Sequence, residues 1–403
     1  MSSRPLPLPA QAGRMPPAAT LRPPRRAARA ETPEPLPVMR PRLPSAAEIL
    51  PYLQTIDEAR WYSNYGPLVT RLEQQLARRL GMTAGGVVTT ANATAGLTAA
   101  LLARRAAAGS FCLMPSWTFA ATAHAARAAG LIPWFHDVAR STWALDPGAV
   151  RQTLKHLAGK VGAVIAVSPF GAPLEIAPWR DLQEQTGMPV VVDAAAGFDT
   201  AGDSPIPQVV SLHATKILGA GEGGFVATAD PELRLRLVAC CNFGFLATRS
   251  AILPALNAKM SEYHAAVALA ALDAWPATRA LHVRIAGWYQ QAIACCEIVR
   301  CENAPCEAVR LQPGYGNGWA TGTTNVILPR PAEAVARHLR RAGIETRAWW
   351  GQGCHVQPAF ADCPRDPLPV TEDLGAHSLG LPHFPDMRVR DVDRVAEALM
   401  NAM

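Results

Sequence analysis

Lys216 is one of only four lysines in a chain of 403 residues, and it lies in SLHATKILGAGEGG, where a polar, glycine-rich loop separates two apolar runs. An amine at the end of a strand, ringed by small residues that let a ligand approach, is suited to form a Schiff base with a carbonyl cofactor. A solvated loop lysine is the competing reading, so the surroundings decide. Asp193 closes the otherwise apolar run PVVVD, and a carboxylate there needs a cationic or multiply donating partner to offset its burial. A protonated pyridine nitrogen would be such a partner; capping a helix is the other use of such an aspartate. After FCLMP come Ser116, Trp117, Thr118 and Phe119, whose two aromatics alternate along an extended segment and could face a planar ring. After VVTT come Asn92, Ala93 and Thr94 at the start of a helical stretch, where unpaired N–H groups and the helix dipole favour a phosphate. An ordinary N-cap by Asn92 or Thr94 is the alternative there. Ser211, five residues before Lys216, places a hydroxyl within reach of the same phosphate. Cradle, ring face, carboxylate and amine together call for a phosphorylated, planar, basic aldehyde, which is pyridoxal 5′-phosphate.

Gly219, Gly221 and Gly224 also match the dinucleotide spacing GxGxxG. That fingerprint should follow a strand and open a helix, whereas these glycines lead into the strand-like FVATAD. A nicotinamide site is therefore not expected.

The elements that must position these groups are short apolar runs alternating with helical stretches, the pattern of a sheet covered on both faces. The runs begin at Val87, Phe111, Gly162, Pro189, Gln208 and Gly224, and are continuous rather than alternating, as in strands buried on both sides. Helical segments are expected over 95–108, 120–129, 147–157 and 178–185. Beyond Pro254 the texture changes to a long helical stretch from Ser261 into the His282 region, a glycine-rich loop, TNVILP and a closing helix from Val389 to Met403. A second, smaller domain is expected there.

Eight arginines against two glutamates fall within residues 1–43, while the other 360 residues balance at 30 basic to 30 acidic. A neutral body argues against nucleic-acid binding, which needs a basic stripe on the folded part. The same segment holds eleven prolines and no apolar core of the signal-peptide kind, and it reads as a disordered tail. No run of eighteen apolar residues is present, so no membrane span is expected and the protein should be cytoplasmic. Nine cysteines without CxxC spacing suit reduced thiols better than disulfides or a metal site.

From about Pro37 onward the chain resembles the DegT/DnrJ/EryC1/StrS family of PLP-dependent sugar aminotransferases. The motifs are SNYGPLVTRLEQQLARRLG, ANATAGL, PSWTFAATAHA, VVDAAAGF, SLHATK with GEGG, LNAKMSEYHAAVALAALD, GIETRAWW with HVQPAF, and LGLPHFP. The resemblance implies an α/β, PLP-dependent transferase fold of type I (aspartate aminotransferase-like). After the 1–43 tail, a large mixed-sheet PLP-binding domain would span 44–254 and a small C-terminal α+β domain 255–403. It implies a homodimer whose active sites lie at the subunit boundary. Lys216 would carry the cofactor, Asp193 would pair with the pyridinium, Phe119 would stack on the ring, and Ala93, Thr94 and Ser211 would bind the phosphate. Asn257 would reach the phosphate of the neighbouring subunit. Lys259, Tyr65, Trp117, Arg347 and His355 fall in segments that match the substrate side. Two positions depart from the family pattern: Ala196 stands near the ring hydroxyl where Gln or His is common, and Ala93 stands where glycine is usual. The implied reaction moves an amino group from L-glutamate to a nucleotide-linked keto-6-deoxyhexose, most often at C4, with dTDP-4-keto-6-deoxyglucose as the branch most resembled, for cell-surface polysaccharide or secondary-metabolite amino sugars. The alternatives are a 3-keto substrate, a dehydratase, against which Lys216 argues because that branch carries histidine, and a non-catalytic PLP-binding regulator acting through the basic tail.

Overall fold

Strand-forming residues cluster in seven short segments that make the central sheet, and in all but Ile132–His136 most side chains are hidden on both faces. The structure, a computed structural model, describes residues 34–83, 85–301 and 308–403, with the backbone alone for 295–301. In chain order the elements are α1 (Ala46–Ala59), α2 (Pro67–Arg79), β1 (Val87–Thr90), α3 (Ala93–Ala103), β2 (Phe111–Pro115), α4 (Ala120–Ala128), β3 (Ile132–His136) and α5 (Pro147–His156). There follow β4 (Val161–Val167), α6 (Ala177–Thr186), β5 (Val190–Asp193), β6 (Gln208–Ser211), β7 (Gly224–Ala227), α7 (Pro231–Cys241), α8 (Glu262–Asp273) and α9 (Trp275–Cys301). The last part holds β8 (Arg310–Leu311), β9 (Thr324–Ile327), α10 (Ala332–Arg341), α11 (Pro369–His377), β10 (Ser378–Leu381) and α12 (Val389–Asn401).

The large sheet has the order β1-β7-β6-β5-β4-β2-β3. Its neighbours are parallel except that β7 runs against both β1 and β6. The carboxyl ends of β1, β2, β4, β5 and β6 therefore line one edge, which is where ligands gather in sheets of this kind. Helix α3 can lie directly on this sheet because Gly96 has no side chain; a Cβ there would stand 3.0 Å from Val209 Cγ1. The second sheet is antiparallel, β10-β9-β8, with Ile285, Tyr289, Val326, Leu339, Val395 and Leu399 in its core.

The expected boundaries need three corrections. Residues 1–33 lie outside the described residues, but the expected tail runs too far: Leu36 and Val38 are buried, and Leu36 pairs with Ile344 and joins the small-sheet core. Two alternating apolar residues were hidden by the proline content around them. Residues 35–403 form one compact unit, and α8, beyond the expected boundary at 255, packs its Ala265, Ala266 and Leu269 into the core of the large sheet. The long helical stretch from Ser261 is two helices, α8 and α9, parted at Ala274. Pro276 explains the break, since its ring and missing N–H suit a helix start and not an interior. Sequence reading also passed over β3, which is an edge strand with alternating burial; Pro133 is tolerated there because the Ile132 N–H donates toward the β2 side, at Ser110, so that the N–H proline lacks would face the outer side of the sheet.

Candidate active site

Three of the singled-out groups sit at the shared strand edge. Asp193 is the last residue of β5 and is 6% exposed. Its carboxylate is held from two sides, by Thr122 Oγ1 donating to Oδ2 at 2.7 Å and by the Ala195 N–H donating to Oδ1 at 3.1 Å. Ser211 ends β6; its N–H donates to the Ala195 carbonyl at 3.2 Å and its Oγ accepts from the His213 N–H at 3.2 Å. Lys216 follows in the β6–β7 connection, half-buried. Burial pushes the Asp193 carboxyl up and the Lys216 amine down, and each charge partly restores the other. The two groups therefore share one electrostatic environment, and a depressed pKa leaves more of the amine neutral, the form that acts as nucleophile and base.

The start of α3 is the segment expected to meet the phosphate. Asn92 caps it, accepting from the Ala95 N–H at 2.9 Å, while Ala93 is buried and Thr94 half-buried in its first turn. Gly224 makes that turn accessible to the sheet: a Cβ there would lie 2.8 Å from the Ala93 nitrogen. The cap reading of this segment holds, and capping occupies only one of the first-turn N–H groups.

The two aromatics after β2 divide. Phe119 is 61% exposed at the N-cap of α4, an apolar ring face laid open beside the site. Trp117 is 2% exposed and packs edge-on against Trp350, so its expected place among substrate-side groups is corrected to one in an aromatic cluster with Trp143 and Phe170. Alternation along the extended segment forces this, since residues two apart share a face only if the chain stays straight, and α4 begins at Ala120. Ala196 is half-buried, with its carbonyl packed so closely on Gly171 that a Cβ there would come within 2.4 Å.

The remaining groups are placed as follows. Asn257 is exposed and its amide oxygen accepts from Lys259 Nζ at 2.7 Å; that ammonium also lies 4.3 Å from the Phe243 ring centre. Their segment lies beside the phosphate turn, since the Ala91 N–H donates to the Ala258 carbonyl at 2.6 Å. Tyr65 is half-buried with left-handed φ of 58°. Arg347 is exposed, 5.2 Å from the Trp349 ring centre. His355 is buried; its Nδ1 lies 2.8 Å from Ser116 Oγ, which also accepts from the His355 backbone N–H. The Ser116 hydroxyl thus holds both the backbone and the ring of His355 in place. Thr122 and Glu262 were missed by sequence reading. Glu262 is buried and binds the α2 N-terminus; its only signal was a carboxylate directly after a helix-capping serine.

A buried carboxylate with lone pairs to spare, an amine that feels it, an open ring face and an accessible helix start are what pyridoxal phosphate requires, and the residues fit that cofactor. A family model for the DegT/DnrJ/EryC1/StrS aminotransferase family matches residues 45–400. The chain belongs to this aminotransferase family. GDP-perosamine synthase of Caulobacter vibrioides is 25% identical over 357 residues, 86% of this chain and 93% of that one. The UDP-N-acetyl-3-dehydro-alpha-D-glucosamine 3-aminotransferase of Acidithiobacillus ferrooxidans is 27% identical over 339 residues, 82% and 88% of the two chains. Among solved structures, DesI with its TDP-sugar product superposes with TM-score 0.78 at 32% identity, covering 91% of this chain and 93% of that one. The aminotransferase is thus PLP-dependent and of fold type I. Among the described residues no helix is long and apolar enough to cross a membrane.

Proposed function

We propose that this aminotransferase acts on a nucleotide-linked keto-6-deoxyhexose, aminating C4 with L-glutamate as donor, in the cytoplasm and as a homodimer with shared active sites. Lys216 carries the cofactor, Asp193 holds its ring nitrogen, Phe119 covers a ring face, and Ala93, Thr94 and Ser211 bind its phosphate. Asn257 completes the phosphate site of the partner, and Lys259, Tyr65, Arg347 and His355 line the substrate side. When bound, pyridoxal phosphate withdraws electrons from the carbon next to the transferred nitrogen. Asp193, ionised, keeps the ring nitrogen protonated so that this withdrawal is strong. Lys216, displaced as a neutral amine, takes the proton from the donor's α-carbon and later returns one to the sugar carbon.

The observation that carries the reading is the meeting of Asp193 and Lys216 at one strand edge, each shifting the other's charge state. The nucleotide-sugar substrate is supported by the names of the Caulobacter and Acidithiobacillus relatives and by DesI with its TDP-sugar product. Incubating the holoenzyme with L-glutamate and a panel of nucleotide ketosugars should yield an aminated sugar detectable by mass. Lys216→Ala should abolish it, and full turnover by that variant would refute the assignment. Amination at C3 would instead favour the 3-keto substrate, the reading that the Acidithiobacillus relative supports.

A further inference from the structure

Behind Asp193 stands a short chain of hydroxyls that the reaction above does not use. Thr122 lies in the first turn of α4, is fully buried, and donates to Asp193 Oδ2 at 2.7 Å. Its oxygen lies 2.8 Å from Oγ1 of Thr118, which is also buried. An ionised carboxylate only accepts, and a hydroxyl has one proton to give. The Thr122 proton therefore goes to Asp193, and Thr118 must donate to Thr122. Donors ordered in this direction polarise one another toward the carboxylate. The Ala195 N–H fixes the other carboxylate oxygen from the far side.

We propose that Thr122, backed by Thr118, is a positioning residue for the cofactor: it locks the rotamer of Asp193 and keeps that carboxylate ionised, with a lone pair directed at the ring nitrogen. The proposal rests on the reading in which Asp193 pairs with that nitrogen. Burial drives Asp193 toward the neutral acid, which cannot hold a pyridinium. Against this stand Thr122, the Ala195 N–H and Lys216, of which Lys216 alone is charged. Removing the Thr122 hydroxyl leaves the acid easier to protonate, so cofactor affinity should fall and should fall further as pH decreases.

Thr122→Val removes the hydroxyl at nearly constant volume, and Thr122→Ser restores it. Cofactor dissociation from the holoenzyme is read from visible absorbance across pH 6 to 9 by equilibrium dialysis. Thr122→Val should raise the Kd about tenfold at pH 8, the loss expected for one hydrogen bond to a charged group, and by a growing factor at lower pH. Thr122→Ser should stay within about twofold of wild type, and Thr118→Val should lose about threefold with the same pH trend. A Thr122→Val protein with wild-type affinity, or with a loss equal at every pH, would overturn the proposal. Should Thr122→Val not fold, Thr118→Val decides, and a wild-type pH profile there overturns it. Asp193→Asn separates the underlying reading: if that variant retains cofactor like wild type, the pairing of Asp193 with the ring nitrogen is wrong, independently of Thr122.

Discussion

Replacing Glu262 with glutamine should destabilise the protein far more than an ordinary change of one atom in a side chain. Glu262 is 1% exposed, and its two oxygens accept the first N–H groups of α2, from Leu68 at 2.7 Å and from Val69 at 2.9 Å. Its own N–H donates to the Tyr62 carbonyl at 3.0 Å. Those α2 donors have no intrahelical partner, because Gly66, the N-cap, has no side chain to offer. Glutamine keeps one acceptor and turns an NH2 group toward the other N–H. One hydrogen bond to a charged group is lost, worth about 1.5–3 kcal/mol, and one buried donor is stranded at a cost of about 1–3 kcal/mol. The favourable placement of a negative charge at a helix start, about 0.5 kcal/mol, goes as well. The sum is about 3–6 kcal/mol, which at about 2 °C per kcal/mol for a large domain lowers the melting temperature by about 6–12 °C. Differential scanning fluorimetry of the two holoproteins measures this. A shift under about 2 °C would refute the argument, for it would mean that water or another group satisfies α2 as well as Glu262 does. Glu262 ties the 61–66 segment to the one carrying Asn257 and Lys259, so cofactor retention should weaken in parallel.

Two further outcomes follow from buried charge. His282 and His383 stack face to face with Nδ1 of the first 3.1 Å from Nε2 of the second. Burial pulls His282 down to about 4 and His383 well below its usual range. Unfolded histidines titrate near 6.5, so between pH 6.5 and 4 the unfolded chain binds more protons and stability falls as pH falls. His282 alone should cost about 3 kcal/mol across that window. Urea unfolding at pH 7.5 and 5 reads it, and an unchanged slope in His282→Asn would contradict it. Asp199 accepts from Arg79 at 3.0 Å, from Arg279 at 2.8 Å and from the Ala320 N–H at 2.9 Å, with its side chain 4% exposed. Asp199→Asn leaves two guanidiniums without their counter-charge and should cost about 3–5 kcal/mol by denaturant unfolding; a loss below about 1 kcal/mol would show that the arginines find water instead.

The strand runs were legible because both faces are covered, so each reads as uninterrupted apolar sequence; β3 was not, because its burial alternates and shows only half of that signal. Helices α3 to α6 and α12 lie where helical stretches were expected, whereas α1, α7, α10 and α11 were not among them, and the split at Ala274 required weighing Pro276 as a start. For the site, residue chemistry and order along the chain were enough to bring Asp193, Ser211, Lys216 and the α3 start to attention, because parallel strands deliver their ends to one edge whatever the loops do. The hydroxyl chain from Thr118 through Thr122, the contact of His355 with Ser116, the burial of Trp117 and the capping of α2 by Glu262 were not accessible in that way. Each depends on which atoms meet across 70 to 240 residues of chain, and single side chains of common type carry no local mark of a distant partner. Sequence alone determined the class of chemistry, through residue types that only one kind of cofactor needs together. The tertiary structure decided which of those groups are exposed, charged and held still, because burial and hydrogen-bond partners are properties of packing and not of order along the chain.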